Sequence, residues 1–204
     1  MDTNDIILAS WQHTFRTVLG REEDEKVLLA TFGEPLVLTM KKFFGVDDEK
    51  ALEYVDIYRS YQKDIFLDSI KLFPGVTEMM EALQEKGCTM ALVTSRLKSS
   101  TMQAVEKFGL DRFFKVIITA DDCTRHKPDP EPVNMALKKL GASADGTVML
   151  GDTFMDIGCA KNAGIRSILV GWSLALPEAK LKSGPAPDRI LKDPKDLLQL
   201  LAEM

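Results

Sequence analysis

The chain has 204 residues, 45% of them hydrophobic and 28% charged, a balance typical of soluble globular proteins that excludes a disordered, collagen-like or coiled-coil chain. That length accommodates one large domain, or a core with a modest second lobe, and excludes two full-sized independent domains. With 26 Lys and Arg against 31 Asp and Glu the formal charge is -5, which repels phosphate backbones and anionic membranes, so neither nucleic acid nor a membrane is expected as a partner.

No apolar run approaches the roughly 20 residues that span a bilayer, and Met1-Asp2 opens without a basic region or an apolar signal core; the expected location is the cytoplasm. Ile7, Trp11, Phe15 and Val18 recur at helical spacing and predict a first helix, with Asn4 and Asp5 capping and favourably charging its start. Further helical pattern covers Val27 to Thr31, Leu36 to Phe44 and Lys50 to Ile70, broken by turns at Gly33, Pro35 and Gly45. The pattern changes near Leu72-Phe73-Pro74-Gly75.

Beyond Pro74, short apolar runs alternate with amphipathic helices, the signature of a parallel sheet covered on both faces. The predicted strands are Thr89 to Val93, Val116 to Thr119, Thr147 to Leu150 and Ser167 to Val170, with an edge strand at Asp188 to Leu191. The predicted helices are Val76 to Lys86, Ser99 to Phe108, Pro132 to Leu140, Met155 to Ala163 and Pro194 to Leu201. Gly87, Gly109, Gly141 and Gly164 punctuate the first four at their C-terminal ends. Cys88, Cys123 and Cys159 are widely spaced without a CxxC pair, so they read as ordinary buried or half-buried thiols.

Ligands of such sheets bind outside the carboxyl ends of the strands. Three loops there carry chemistry. The first predicted strand ends in Thr94-Ser95, whose hydroxyls and N–H groups suit an anion or, as the plainer reading of this loop alone, the cap of the next helix. The second leads through Asp121-Asp122 to His126-Lys127-Pro128-Asp129-Pro130-Glu131-Pro132, where alternating prolines are expected to hold the backbone extended and present Lys127 to a phosphate or carboxylate, or simply to solvent. His126 reads as a neighbour and not as a metal ligand, because the other histidine, His13, lies in the other lobe. The third runs into Gly151-Asp152-Thr153-Phe154-Met155-Asp156, whose two carboxylates four residues apart suit Mg2+, or an N-cap and a helix-dipole partner. All three fall on one edge of one sheet and so reinforce one another.

Gly75, Val93-Thr94-Ser95, His126-Lys127-Pro128-Asp129-Pro130 and Gly151-Asp152-Thr153-Phe154-Met155-Asp156 together resemble the second, third and fourth motifs of the haloacid dehalogenase superfamily, on the branch of the phosphoglycolate phosphatases and bacterial pyrophosphatases. The resemblance covers nearly the whole chain. It implies an α/β fold with a Rossmann-like parallel-sheet core at 74–204 and a helical cap at 4–73, residues 1–3 belonging to the junction between them. It implies phosphoryl transfer from a small phosphorylated substrate or a phosphorylated protein through an aspartyl-phosphate, with Mg2+ as cofactor. Thr94 would then bind a phosphate oxygen with Ser95 beside it, and Lys127 would steady the nucleophile and the developing charge. Asp152 would ligate Mg2+, with Asp156 completing the site directly, through water or by orienting Lys127. The cap would close over the leaving group and select the substrate, with Glu34, Arg59 and Lys63 as contact candidates.

One motif of the resemblance is missing. The family's DxDGT segment, which ends a central strand and supplies the attacking and the acid/base aspartates, has no counterpart; Met1-Asp2-Thr3 resembles the residues just after it, and Asp2 lacks the DxD pattern of a nucleophile. The expectation is therefore a start at an internal methionine of a longer active phosphatase, an inactive chain as written, and a sheet opened between the strands ending at Thr94 and Leu150. Five or six buried residues at about 1.5 to 3 kcal/mol each make that strand worth roughly 10 kcal/mol. The alternative from another class is a non-catalytic metal- and phosphate-binding or regulatory remnant; dehalogenation, which needs no Mg2+, fits the acidic pair less well.

Overall fold

A computed structural model describes residues 1–32, 34–176 and 178–204. The turn expected at Gly33 lies outside the described residues. The chain divides into two compact units, Met1–Lys71 and Leu72–Met204. The division falls two residues before the expected boundary, and residues 1–3 belong to the first unit, where Asp2 forms an antiparallel bridge with Lys71.

The first unit is helical: α1 (Asn4–Leu19), α2 (Glu25–Leu29), α3 (Leu36–Phe44) and α4 (Asp48–Ser69). Helix α1 is capped from outside by Asp2, whose Oδ1 accepts the Asn4 N–H at 3.0 Å; Asn4 is the first helical residue and not the cap. The predicted apolar face is wider than its four residues, because Ser10 and Thr14 are also buried, their hydroxyls donating to the carbonyls of Ile6 and Ser10 one turn back. Helix α4 begins two residues earlier than the periodicity indicates, since the Asp47 carboxylate accepts the Lys50 N–H at 2.9 Å and caps it. Trp11, Phe15, Leu28, Met40, Val55 and Tyr58 form the core, with Trp11 edge-on to both Phe43 and Tyr58 at 5.3 Å between ring centroids. No helix among the described residues is long and apolar enough to cross a membrane.

The second unit has the predicted alternation: α5 (Val76–Glu85), β1 (Met90–Val93), α6 (Lys98–Lys107), β2 (Phe114–Ile118), α7 (Glu131–Leu140), β3 (Val148–Gly151), α8 (Phe154–Asn162), β4 (Arg166–Val170), β5 (Arg189–Leu191) and α9 (Leu197–Ala202). The strands form two parallel sheets, β1-β2 and β3-β4-β5, with the expected edge strand β5 at one side. Strands β1 and β3 share no ladder among the described residues. Both are half-buried at every position, whereas β4, flanked on both sides, buries Ser167, Ile168 and Leu169.

Two helices hold the sheets together. On one face Val76 and Met80 of α5 share a core cluster with Met90 and Leu92 of β1, and Met79 and Leu83 share another, around Ile168, Leu191 and Leu197, with Val148 and Leu150 of β3. On the other, α7 packs on β1 and β2 while its Val133 and Leu137 meet Met149 of β3, whose side chain alternates to the opposite face from its neighbours. The fold is therefore that of a covered parallel α/β domain whose described strands form two ladders.

Candidate active site

The site is built where the loop after β2 meets the start of α8. Residues 126–130 do not run extended. The Lys127–Pro128 peptide bond is cis, and the Asp129 N–H donates to the His126 carbonyl at 2.9 Å, closing a tight turn. Contacts spread along α8 fasten that turn: the Lys127 ammonium to Asp156 Oδ1 at 2.5 Å, the Cys159 thiol to the Asp129 carbonyl at 3.0 Å, and the Asn162 amide to the Pro128 carbonyl at 2.9 Å. Gly158 admits the turn, since a Cβ there would stand 2.9 Å from Pro128 Cβ. His126 is exposed.

Lys127 and Asp156 are 11% and 8% exposed in their side chains, so their ion pair is largely withdrawn from water. Asp156 is the best-satisfied group of the site. Its Oδ2 accepts from the Asp152 N–H at 3.2 Å, the Thr153 N–H at 3.1 Å and the Thr153 hydroxyl at 2.7 Å, while the Asp156 N–H donates back to Thr153 Oγ1. This is a capping box: Thr153 is the N-cap of α8, so Asp152 is not, and Asp156 performs the helix-terminus role in addition to holding Lys127. Both Asp156 oxygens are thus committed to donors, which disfavours a direct contact from Asp156 to a metal.

Asp152 contrasts with it. Among the described residues its carboxylate is hydrogen-bonded through Oδ2 alone, which accepts the Ser173 hydroxyl at 2.9 Å. Burial, and next the charge of Asp156, push the Asp152 carboxyl above its ordinary range, against the Ser173 hydrogen bond and the Lys127 charge. A half-buried, poorly solvated carboxylate in this condition is the hard oxygen donor that a divalent cation satisfies. No group of three or more metal-binding side chains lies together among the described residues. Mg2+ does not require one, because it keeps several waters and takes one or two carboxylates beside the substrate's phosphate.

Lys127, Asp152 and Asp156 therefore come together. Thr94 and Ser95 stand at the end of β1, in the other sheet, with no described hydrogen bond to that cluster. The Thr94 N–H continues the ladder to Ile118 O at 2.9 Å and its hydroxyl accepts the Arg96 N–H at 3.2 Å. Neither residue caps α6, whose N-cap is Leu97, so the capping alternative for this loop does not hold. In the helical unit Glu34 stands 3.9 Å from Lys42, while Arg59 and Lys63 are exposed one turn apart on α4. Of the cysteines, Cys88 is exposed, Cys123 half-buried and Cys159 buried, so the expectation of sheltered thiols fails at Cys88.

Sequence reasoning did not find Ser173, although its place just after β4, on the edge that carries Asp152, was available. Nor did it find Thr153 as the cap, although the Thr153-x-x-Asp156 spacing is a capping-box signal.

A family profile described as haloacid dehalogenase-like hydrolase matches residues 1–170. The chain is 33% identical to pyrophosphatase PpaX of Halalkalibacterium halodurans over 98% of this chain and 91% of the relative, and 33% identical to pyrophosphatase PpaX of Oceanobacillus iheyensis over 100% and 92%. It superposes with a TM-score of 0.83 and 28% identity on the crystal structure of a protein named as a phosphatase from Clostridium difficile, over 98% of this chain and 92% of the other. The haloacid dehalogenase-like family protein SP0104 of Streptococcus pneumoniae shares the fold, with a TM-score of 0.84 at 23% identity over 98% and 92%. A parallel α/β domain with its polar cluster at the strand ends, matched over most of its length by that family's profile and by these relatives, makes this chain a member of the haloacid dehalogenase-like hydrolase family.

Proposed function

We propose that the strand-end cluster is the phosphate- and Mg2+-binding half of a phosphatase site for a small phosphoric ester or anhydride, in keeping with the pyrophosphatase names of the relatives. The buried Lys127 ammonium held at 2.5 Å by Asp156, beside the less satisfied carboxylate of Asp152, is the observation that carries this reading. An ammonium has three donors, and Asp156 uses one, so Lys127 can meet a phosphate oxygen and the charge that develops on it. Asp156 orients Lys127, Asp152 offers the metal-facing oxygen, and Thr94 with Ser95 supplies phosphate contacts from the end of β1. Mg2+, when bound, would neutralise charge between substrate and nucleophile.

The reaction implied by the family resemblance is attack by an aspartate to give an aspartyl-phosphate. The carboxylates at the described strand ends are engaged otherwise: Asp121 accepts the Lys98 N–H, Asp122 accepts from Thr119, Asp152 from Ser173 and Asp156 from Lys127. This engagement supports the reading that residues 1–204 alone lack the attacking aspartate and are inactive. The expected result is negligible turnover of p-nitrophenyl phosphate with Mg2+ by this chain, and turnover once a strand bearing the DxDGT segment is joined to it. Appreciable Mg2+-dependent hydrolysis by the 204-residue chain overturns the account of the nucleophile.

The hydrogen bonds that engage Asp121, Asp122, Asp152 and Asp156, with Lys127 held by Asp156, favour a second reading as a binding or regulatory module. Calorimetry with Mg2+ and inorganic phosphate, with Asp152→Asn as control, tests the pocket common to both readings. Binding that is indifferent to Asp152→Asn removes this pocket from either.

A further inference from the structure

Among the described side chains, Ser173 alone hydrogen-bonds the Asp152 carboxylate, and it comes from an element outside the β3–α8 connection and the Lys127 turn. Ser173 lies in the loop after β4, half-buried, and its Oγ is used twice: it donates to Asp152 Oδ2 at 2.9 Å and accepts the Ala175 N–H at 3.2 Å. The Ala175 N–H occupies the acceptor side of the hydroxyl, so its proton is directed at Asp152. The loop is anchored upstream, where the Gly171 N–H donates to the Leu191 carbonyl of β5 at 2.8 Å. A hydroxyl fixed by its own turn thus takes one oxygen of Asp152 and leaves Oδ1 as the oxygen without a described hydrogen bond.

We propose that Ser173 is a positioning residue, which fixes the carboxylate plane of Asp152 so that Oδ1 faces the cation. This rests on the reading of Asp152 as the Mg2+-facing carboxylate. Groups that hydrogen-bond a metal-ligating carboxylate restrict its rotation, and their loss weakens metal binding by about 10- to 100-fold. A hydroxyl that merely closed the 173–175 turn would affect unfolding and leave metal affinity alone.

The test is calorimetric titration of the 204-residue chain with Mg2+, together with thermal unfolding of each variant in EDTA. Ser173→Ala is expected to weaken Mg2+ binding by about 10-fold as well as lowering the unfolding temperature, while Ser173→Thr, which keeps the hydroxyl, stays within about 2-fold of the parent in Mg2+ affinity. Parental affinity in Ser173→Ala, with Asp152→Asn abolishing binding, overturns the positioning role and leaves the site reading standing. Equal weakening by Ser173→Ala and Ser173→Thr also overturns it, because the hydroxyl is then not the cause. Absence of Mg2+ binding by the parent chain overturns the site reading, and the role of Ser173 falls with it.

Discussion

Gly151 and Asp156 approach so closely that a Cβ on residue 151 would stand 2.1 Å from Asp156 Cβ and 2.6 Å from its Cγ. The absence of a side chain at the end of β3 is what lets the first turn of α8 fold its carboxylate back over the strand end. Gly151→Ala must displace Asp156 or the backbone, an overpacking cost of about 2 to 3 kcal/mol. At roughly 2 to 4 °C per kcal/mol for a chain of this size, thermal unfolding should fall by roughly 4 to 12 °C. An unchanged midpoint in a thermal melt would show that Asp156 does not occupy the place described.

Asp156 and Lys127 are unequal partners. Replacing Lys127 with Met leaves Asp156 its three donors from Asp152 and Thr153, whereas Asp156→Ala strands a largely buried ammonium and removes the capping box as well. Breaking a buried pair by removing one partner costs about 3 to 5 kcal/mol, and loss of a cap adds about 1 kcal/mol. Asp156→Ala should therefore be the more destabilising in urea unfolding by at least about 1 kcal/mol. Equal costs would mean that the helix cap contributes nothing.

Asp152 has the opposite sign. Its carboxyl is raised by burial and by Asp156, so the folded chain favours the protonated form. The contribution of this group is fully present below the ordinary aspartate value of 3.8 and is lost as pH rises through the higher folded value, which leaves a destabilising charge at neutral pH. Asp152→Asn should accordingly raise the unfolding midpoint at pH 7 without Mg2+ while removing Mg2+ binding. Its gain over the parent should vanish at pH 3. A variant less stable than the parent at pH 7 would show that the charge is already compensated.

The alternation of strands and helices was legible because each element's own periodicity marks it, and glycine with φ near 60–75° ends α5, α6, α7 and α8 as expected. Lys127, Asp152 and Asp156 were legible because two adjacent loops bring them to one edge. What the one-dimensional pattern hides is the partner chosen by each oxygen. Asp152 and Asp156 look alike in the sequence, yet Thr153 at the N-cap commits Asp156 to backbone donors and leaves Asp152 to a hydroxyl 21 residues further on. The prolines around Lys127 predict an extended spacer, but the turn closed by Asp129 and His126 folds them against α8. Ser10 and Thr14 escaped an apolar-face reading because their hydroxyls are satisfied within their own helix.

Glu131 ties the loop before Lys127 to the start of α7. Its carboxylate accepts from the Thr124 N–H at 2.8 Å, the Thr124 hydroxyl, and the N–H and Nε of Arg125, both at 3.1 Å, and the Thr124 N–H leads in pulling its pKa down from 4.5 to about 2. A depressed carboxyl contributes stability above its unfolded value and loses it on acidification, here between about pH 4.5 and about pH 2. Asp122, Asp188 and Asp193 are shifted the same way by their own hydrogen bonds. Glu131→Gln should therefore flatten the acid limb of a stability profile in that window, with the parent and variant converging at its lower end. Parallel profiles would show that Thr124 and Arg125 do not favour the ionised form.

Cys159 reports on the attachment of the Lys127 turn. It is fully buried, donates to the Asp129 carbonyl, and is pushed up to about 11 chiefly by burial, so at pH 8 its thiolate fraction is on the order of 10⁻³. Cys88 is exposed, and Cys123 is half-buried and likewise raised by burial. In the native chain a disulfide reagent should label Cys88 promptly, Cys123 more slowly, and Cys159 only through opening of the contact between the turn and α8. Asn162→Ala removes the amide that holds the Pro128 carbonyl, a net loss of about 1 kcal/mol, so labelling of Cys159 should accelerate by about 5-fold while Cys88 is unaffected. Because Lys127 belongs to the same turn, the labelling rate measures how firmly the lysine is held. Prompt labelling of Cys159 in the parent would mean that the turn is not fastened to α8.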